Sequence, residues 1–219
     1  MSTSETTESA YLGVPGFVPG TLSATTLLSV YGLSSLFVVS IVWLFSGRSS
    51  KIDRVIMCWW AFTGLTHMIL EGYFVFTPDF FKDTTGHFLK EVWKEYSKGD
   101  LRYALRDSAI VTVEGLTAVL EGPACILAVY AIATKKSYSH VLQLAIALGQ
   151  LYGTFVYYIT PILDGDNYSA TPYHYYAYYI GANVWWLLIP SLIAIRSWKK
   201  ICAAFEAQNN RNKTKARRD

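Results

Sequence analysis

The sequence is poor in charge. Asp, Glu, Lys and Arg make up 16% of its 219 residues, where soluble globular domains carry roughly 25%. The charges it has are gathered between long uncharged runs, which excludes an ordinary soluble domain with an evenly charged surface. A net charge of +3 is too small to make nucleic acid a partner. Cysteine is scarce too: Cys58, Cys125 and Cys202 sit in or beside apolar segments, at no spacing used by a metal site or a disulfide framework. Residues 1–20 are polar and contain no Lys or Arg, whereas a cleavable signal peptide starts with a basic stretch. The first apolar segment is therefore expected to stay on the chain as a signal anchor. Also missing are a phosphate loop, a nucleophile with its base, and the second histidine that would make a zinc site of His67 and Glu71.

What is present is apolar length. Five stretches of roughly 20 to 25 residues are each enough to cross about 30 Å of hydrocarbon. They run from about Leu22 to Phe45, Val55 to Phe76, Ser108 to Thr134, Val141 to Thr160 and Tyr173 to Ile195. The expected fold is an all-α, polytopic membrane protein, a bundle of five transmembrane helices in one membrane domain over residues 1–219. Within it, 1–20 is a polar amino-terminal segment, 21–196 the five-helix core and 197–219 a basic tail. From about Phe205 onward the tail reads as disordered. Between the second and third spans lies a charge-balanced connector, about Thr77 to Asp107. Inside it, Phe88, Leu89, Val92, Trp93 and Tyr96 follow helical spacing, predicting a short amphipathic helix that lies on the membrane surface or caps the bundle.

The positive residues set the expected topology. Arg48, Lys51 and Arg54 follow span one, Lys135 and Lys136 follow span three, and a run of Lys and Arg follows span five; the loop after span four carries Asp164 and Asp166 instead. This places the amino terminus in the lumen and the carboxyl terminus in the cytosol. In span four, Gly149 and Gly153 form a small-xxx-small pair that lets another helix approach closely. A helix of the same chain is the expected neighbour, with a homodimer face as the alternative.

Ionisable residues at membrane depth cost at least about 2.5–3.5 kcal/mol on insertion scales and point to function. His67 and Glu71 are four apart on one helix and share a face. Glu114, Thr117 and Glu121 share another, and Asn183 and Trp186 a third. Three polar stripes most economically meet in one intramembrane cavity. Helix-to-helix glue would need no more than amides and hydroxyls, whereas this set adds titratable groups. Glu121, just before Gly122-Pro123, reads as structural or as part of a cavity rim. A proton donor, a second carboxylate to accept a proton, and aromatic walls suit cofactor-free movement of a double bond, with the Trp186 ring face stabilising a transient cation. The residues alone leave ligand and reaction open.

Trp43-Leu-Phe-Ser-Gly-Arg48, Thr66-His-Met-Ile-Leu-Glu-Gly72, Trp93-Lys-Glu-Tyr-Ser-Lys-Gly-Asp100, Arg102-Tyr103 and Gly181-Ala-Asn-Val-Trp-Trp-Leu-Leu-Ile-Pro190 resemble, in order and spacing, the emopamil-binding protein family, an EXPERA-type five-helix membrane domain. The resemblance covers about Val42 to Ile195 and suggests a plant-like member. It implies an endoplasmic reticulum membrane protein with 3β-hydroxysteroid Δ8-Δ7-isomerase activity in sterol biosynthesis, without a cofactor or a metal. In such enzymes carbon 9 is protonated, a cation forms at carbon 8, and carbon 7 loses a proton. Carried over by position, His67 and Glu71 resemble the donating pair and Glu114 the accepting carboxylate, with Thr117 beside it. Asn183 and Trp186 resemble the groups that face the cation or the amine of an inhibitor. Tyr96, Asp100, Arg102 and Tyr103 match the segment that closes over the substrate. The implied partners are a sterol, cationic amphiphilic inhibitors and the bilayer. The alternative is a binding protein of the sigma-2 receptor type, which needs a carboxylate for a cationic ligand but not the full donor and acceptor set. A proton-coupled transporter lacks support, since no inverted repeat is visible.

Overall fold

The computed structural model describes residues 13–217; the rest of the polar amino-terminal segment and the last two residues of the tail lie outside them. Five long helical rods follow one another: α1 (Ala24–Phe45), α2 (residues 51–76), then after the connector α4 (Ser108–Ala133), α5 (Ser139–Asp164) and α6 (Pro172–Ala216). The connector contributes a 3-10 turn at Phe80–Lys82 and the short helix α3 (Phe88–Tyr96). Four rods, α1, α4, α5 and α6, are long and apolar enough to cross a membrane. α2 is of comparable length, but Lys51, Asp53 and Arg54 at its start and His67 and Glu71 inside it dilute its apolar character.

The cause of each helix is local. Ser23, Ser50 and Asp107 cap α1, α2 and α4, their side-chain oxygens accepting from backbone N–H groups of the first turn, which would otherwise lack partners. α1 is apolar on nearly every face and buries only Leu27; Leu28, Leu33, Leu36, Phe37 and Leu44 point outward, as expected of a helix whose surroundings are lipid. α5 carries Pro161 and continues one turn past it to Asp164, where Gly165 ends it in the left-handed conformation (φ 73°) that glycine adopts without strain.

Two helices cross at glycine. A Cβ placed on Gly64 of α2 would stand 3.0 Å from the carbonyl oxygen of Gly122 on α4, and one on Gly122 would stand 3.1 Å from that of Gly64. Gly149 and Gly153 of α5 also face α4: a Cβ on the first would overlap Glu121 Oε1, and one on the second would stand 3.4 Å from Val113. The small-residue pair therefore packs within the chain, as expected.

α2, α4 and α6 each contain a π-helical stretch, at Thr66–Glu71, Thr117–Glu121 and Tyr175–Ala182. The second ends just before Gly122-Pro123, where residue 123 has no N–H to bond the preceding turn. Each widened turn inserts a residue and rotates the remainder of its helix by about 100°. This moves Glu121 off the face expected from α-helical spacing: it does not line the cavity with Glu114 and Thr117 but lies against Gly149.

Two apolar clusters close the bundle at its ends. One holds Phe74, Ile110, Tyr157 and Tyr179 together with connector residues Phe80, Trp93 and Tyr103; the other holds Met57, Trp60, Cys125, Ala128, Ala147 and Ile193. Along α2, α4, α5 and α6 most of the cavity residues fall between these clusters. α3 caps the first end. Its Trp93 is buried, stacks on Tyr103 at 5.0 Å and donates to the Leu70 carbonyl at 2.9 Å. The opposite face of α3 is not left to solvent: the segment before α1 folds over it, so Glu91 accepts the backbone N–H groups of Thr21 and Leu22. Lys94 is buried beside Glu91 and bonds the Asp83 carbonyl at 2.5 Å.

The tail differs from expectation. α6 runs unbroken to Ala216 with exposed side chains instead of ending near Phe205. No Gly or Pro follows Pro190, and extending an existing helix avoids the cost of nucleating one. At the same end of the bundle Asp53 pairs with Arg196 at 2.5 Å and Arg54 lies over Trp43 at 3.8 Å, which joins the start of α2 to the basic part of α6 and to the end of α1.

Candidate active site

Between the two end clusters is a cavity of about 590 Å³, inside the roughly 300–1,000 Å³ of pockets that enclose a small organic ligand. Its walls are mostly apolar and aromatic, with Leu27 and Tyr31 from α1, Trp59 and Phe62 from α2, and Trp185, Trp186 and Ile189 from α6. The polar groups are concentrated where α2 meets α4. The π turns put His67, Glu71 and Thr117 there, and Glu114 arrives one turn earlier on α4.

His67 is buried and its Nδ1 lies 2.7 Å from each carboxylate oxygen of Glu71. Glu71 also accepts a hydrogen bond from the Thr117 hydroxyl. Thr117 links the two acidic positions, since its hydroxyl also reaches the Glu114 backbone carbonyl at 2.9 Å, so the Glu71 and Glu114 carboxyls are neighbours on this wall. Glu114 in turn accepts from the Tyr103 hydroxyl. The expected donor pair and acceptor thus stand on one wall of the cavity.

Trp186 stands on the adjoining wall. Its ring centre is 6.4 Å from that of His67 and 5.5 Å from Trp59, and its N–H donates to Thr63 Oγ1 at 2.8 Å, which fixes the direction of the ring. Asn183, at the turn where the π stretch of α6 ends, donates to the Tyr179 carbonyl at 2.9 Å and bonds Tyr96, whose hydroxyl is 2.9 Å from Asn183 Oδ1.

The connector residues divide. Tyr96 and Tyr103 line the cavity. Asp100 and Arg102 are not among the lining residues: they are buried in a two-pronged ion pair at 2.9 and 2.6 Å. Arg102 also reaches Thr160 Oγ1 at 2.5 Å and the Tyr157 carbonyl at 3.0 Å on α5. Burial works against the guanidinium charge, but Asp100 outweighs it and holds the proton more firmly than usual. These contacts pin the connector to α5 and satisfy the forked donors of a buried arginine.

Two polar residues at the site carry no signal in the sequence patterns above. Thr63 and Gln150 are both buried, and both lie within 3.1 Å of His67 Nε2. Thr63 is four residues before His67, the same-face spacing that marks Glu71, and Gln150 is an amide inside an apolar span. Gln150 falls between the two glycines of the small-residue pair, whose packing role hides it.

A profile of the EBP family, described as EXPERA, the expanded EBP superfamily, matches residues 88–197. The chain is 62% identical over 208 residues to a probable 3-beta-hydroxysteroid-Delta(8),Delta(7)-isomerase of Arabidopsis thaliana, covering 94% of this chain and 93% of the relative. It is 59% identical to a protein of the same description from Oryza sativa subsp. japonica, covering 93% and 95%. A third relative, isomeliandiol synthase MOI2 of Melia azedarach, is 48% identical over 198 residues, covering 89% and 93%. The match extends over the helices that build the cavity and the connector that caps it, and the chain belongs to the EBP family.

Proposed function

We propose that the protein is a sterol isomerase that moves the B-ring double bond of a Δ8-sterol to Δ7. The observation that carries this reading is the cluster of His67, hydrogen-bonded to Glu71, with Thr117 and Glu114 beside them on the wall of an otherwise apolar cavity. In the proposed cycle the electron pair of the 8,9 double bond takes a proton at carbon 9 from the His67–Glu71 pair, leaving a cation at carbon 8. The C7–H bonding pair then forms the 7,8 double bond, and its proton passes to Glu114. No electrons are gained or lost overall. The Trp186 face, Tyr96 and Tyr103 border the space where the cation forms, and a positive charge there is favoured by ring faces and by the carboxylates. The same property makes the cavity a binding site for cationic amphiphiles, which carry the charge permanently.

In this reading α2 is the fifth membrane span, and the protein resides in the endoplasmic reticulum membrane, where such substrates partition. The basic ends after α1, α4 and α6 face the cytosol and the amino terminus faces the lumen. Membranes containing the expressed chain, incubated with a Δ8-sterol in deuterated water, should yield a Δ7-sterol with deuterium at carbon 9. A folded protein that binds several Δ8-sterols and converts none of them would replace the isomerase by a sterol-binding protein.

A further inference from the structure

The unassigned feature nearest the chemistry is the polar group behind His67. Thr63 Oγ1 receives the Trp186 N–H at 2.8 Å, a donor that cannot reverse its role. Gln150 Nε2 lies 3.2 Å from the same oxygen and 3.0 Å from His67 Nε2, and Thr63 Oγ1 is itself 3.1 Å from that ring nitrogen. With the amide turned this way His67 Nε2 is surrounded by donors and must accept. Its only hydrogen is then on Nδ1, directed at Glu71, and the ring is neutral. A neutral ring in this tautomer has no second proton to supply.

Gln150 also has an oxygen, and that oxygen is buried with no hydrogen-bond partner, an unfavourable arrangement. A half-turn of the amide exchanges its two ends at almost no change in shape. The oxygen would then face His67 Nε2 and the Thr63 hydroxyl, where it accepts from both. In that arrangement His67 can carry hydrogens on both nitrogens and is loaded with a proton for Glu71.

We propose that Gln150 and Thr63 are positioning residues that hold His67 in each of its two protonation states by rotation of the Gln150 amide. The inference rests on the isomerase reading and deepens it. It also explains why both nitrogens of His67 are occupied by protein groups: the ring stores a proton, and Glu71, which faces the cavity, passes it on. The titratable groups around the ring are Glu71 on its own helix, Glu114 and Glu121 on α4, Tyr103 from the connector through Glu114, and Tyr31 of α1 through Thr66 at 3.2 Å. Against these, α5 and α6 offer the uncharged Gln150 and Trp186. Gln150 is the member of this set that can turn either a donor or an acceptor to the ring without gaining or losing charge.

The test is the pH dependence of kcat in lipid nanodiscs for the wild type, Gln150→Glu, Gln150→Leu and Thr63→Val, together with nitrogen NMR of labelled histidine. The chain has four histidines, and a His67→Asn sample identifies the signals of His67. Gln150→Glu offers only acceptors when ionised and should move the alkaline limb of the profile to higher pH. Gln150→Leu offers none and should move it to lower pH, with kcat at neutral pH down by about tenfold or more and KM little changed. At high pH the wild-type spectrum should show the Nδ1–H form of His67, and Thr63→Val a mixture of the two neutral forms. Limbs that coincide, or that move the same way in the Glu and Leu variants, would overturn the proposal. If Gln150→Leu fails to fold, the Glu variant and the Thr63→Val spectrum decide it. A wild type that converts no Δ8-sterol would defeat the isomerase reading instead, and the spectra would still report whether Gln150 and Thr63 govern the state of His67.

Discussion

The carboxyl of Glu121 lies against Gly149, so close that a Cβ on that glycine would overlap Oε1, and its other oxygen is buried with no hydrogen-bond partner. Glycine here makes room for a side chain. Gly149→Ala should therefore lower the thermal midpoint in detergent, with a cost of about 1–3 kcal/mol typical of overpacking. Adding Glu121→Ala should return most of that loss, because the collision disappears with the carboxylate. Additive effects of the two changes in a double-mutant cycle would separate the residues.

Glu114→Gln keeps shape and volume but removes the capacity to accept a proton, while an amide can still bond Tyr103. Turnover of a Δ8-sterol by this variant should fall by about 10²–10⁴-fold, the range of a general base, with the fold and sterol binding retained. Wild-type turnover would take Glu114 out of the mechanism.

Trp186 combines a ring face toward the cavity with an N–H committed to Thr63. Trp186→Ala should weaken binding of a cationic amphiphile by roughly threefold to thirtyfold, the span of a cation–π contact, and reduce turnover as well. Trp186→Phe keeps a smaller face and should fall between the two. Equal amine affinity in all three proteins would show that the ring does not meet the cation.

Outside the bilayer, Glu91 ties the connector to the segment before α1. Burial works against its charge, but the N–H groups of Leu22 and Thr21 and the nearby Lys94 prevail and hold its carboxyl below the ordinary value of 4.5. A carboxylate depressed on folding contributes stability above its unfolded value and loses it as pH falls through the folded one. The thermal midpoint should accordingly decline as the protein is acidified below about pH 4.5. Glu91→Gln should lower the midpoint at neutral pH and flatten that decline. An acid limb of unchanged steepness in the variant would assign the decline to other carboxyls.

Much of this molecule is written in local patterns. Apolar runs long enough to span a bilayer, serine and aspartate caps, and the four-residue step from His67 to Glu71 need only the period of a helix to be read. Glu114 and Thr117 are legible for the same reason, being three apart, with Thr117 only the first residue of the widened turn. Other features depend on what lies opposite a residue, and no local pattern carries that. A π turn rotates Glu121 toward α5; the folded-back amino-terminal segment covers the polar face of α3; Thr160 and Tyr157 draw Arg102 away from the cavity its neighbours Tyr96 and Tyr103 line. Residue order was enough to pick out the titratable side chains of the apolar spans and the helices that carry them. That Thr117 reaches Glu71, and that Thr63 and Gln150 stand behind His67, emerged only from the packed bundle. Hydrogen bonds between helices are set by rotation and crossing distance, and those depend on packing at Gly64, Gly122 and Gly149.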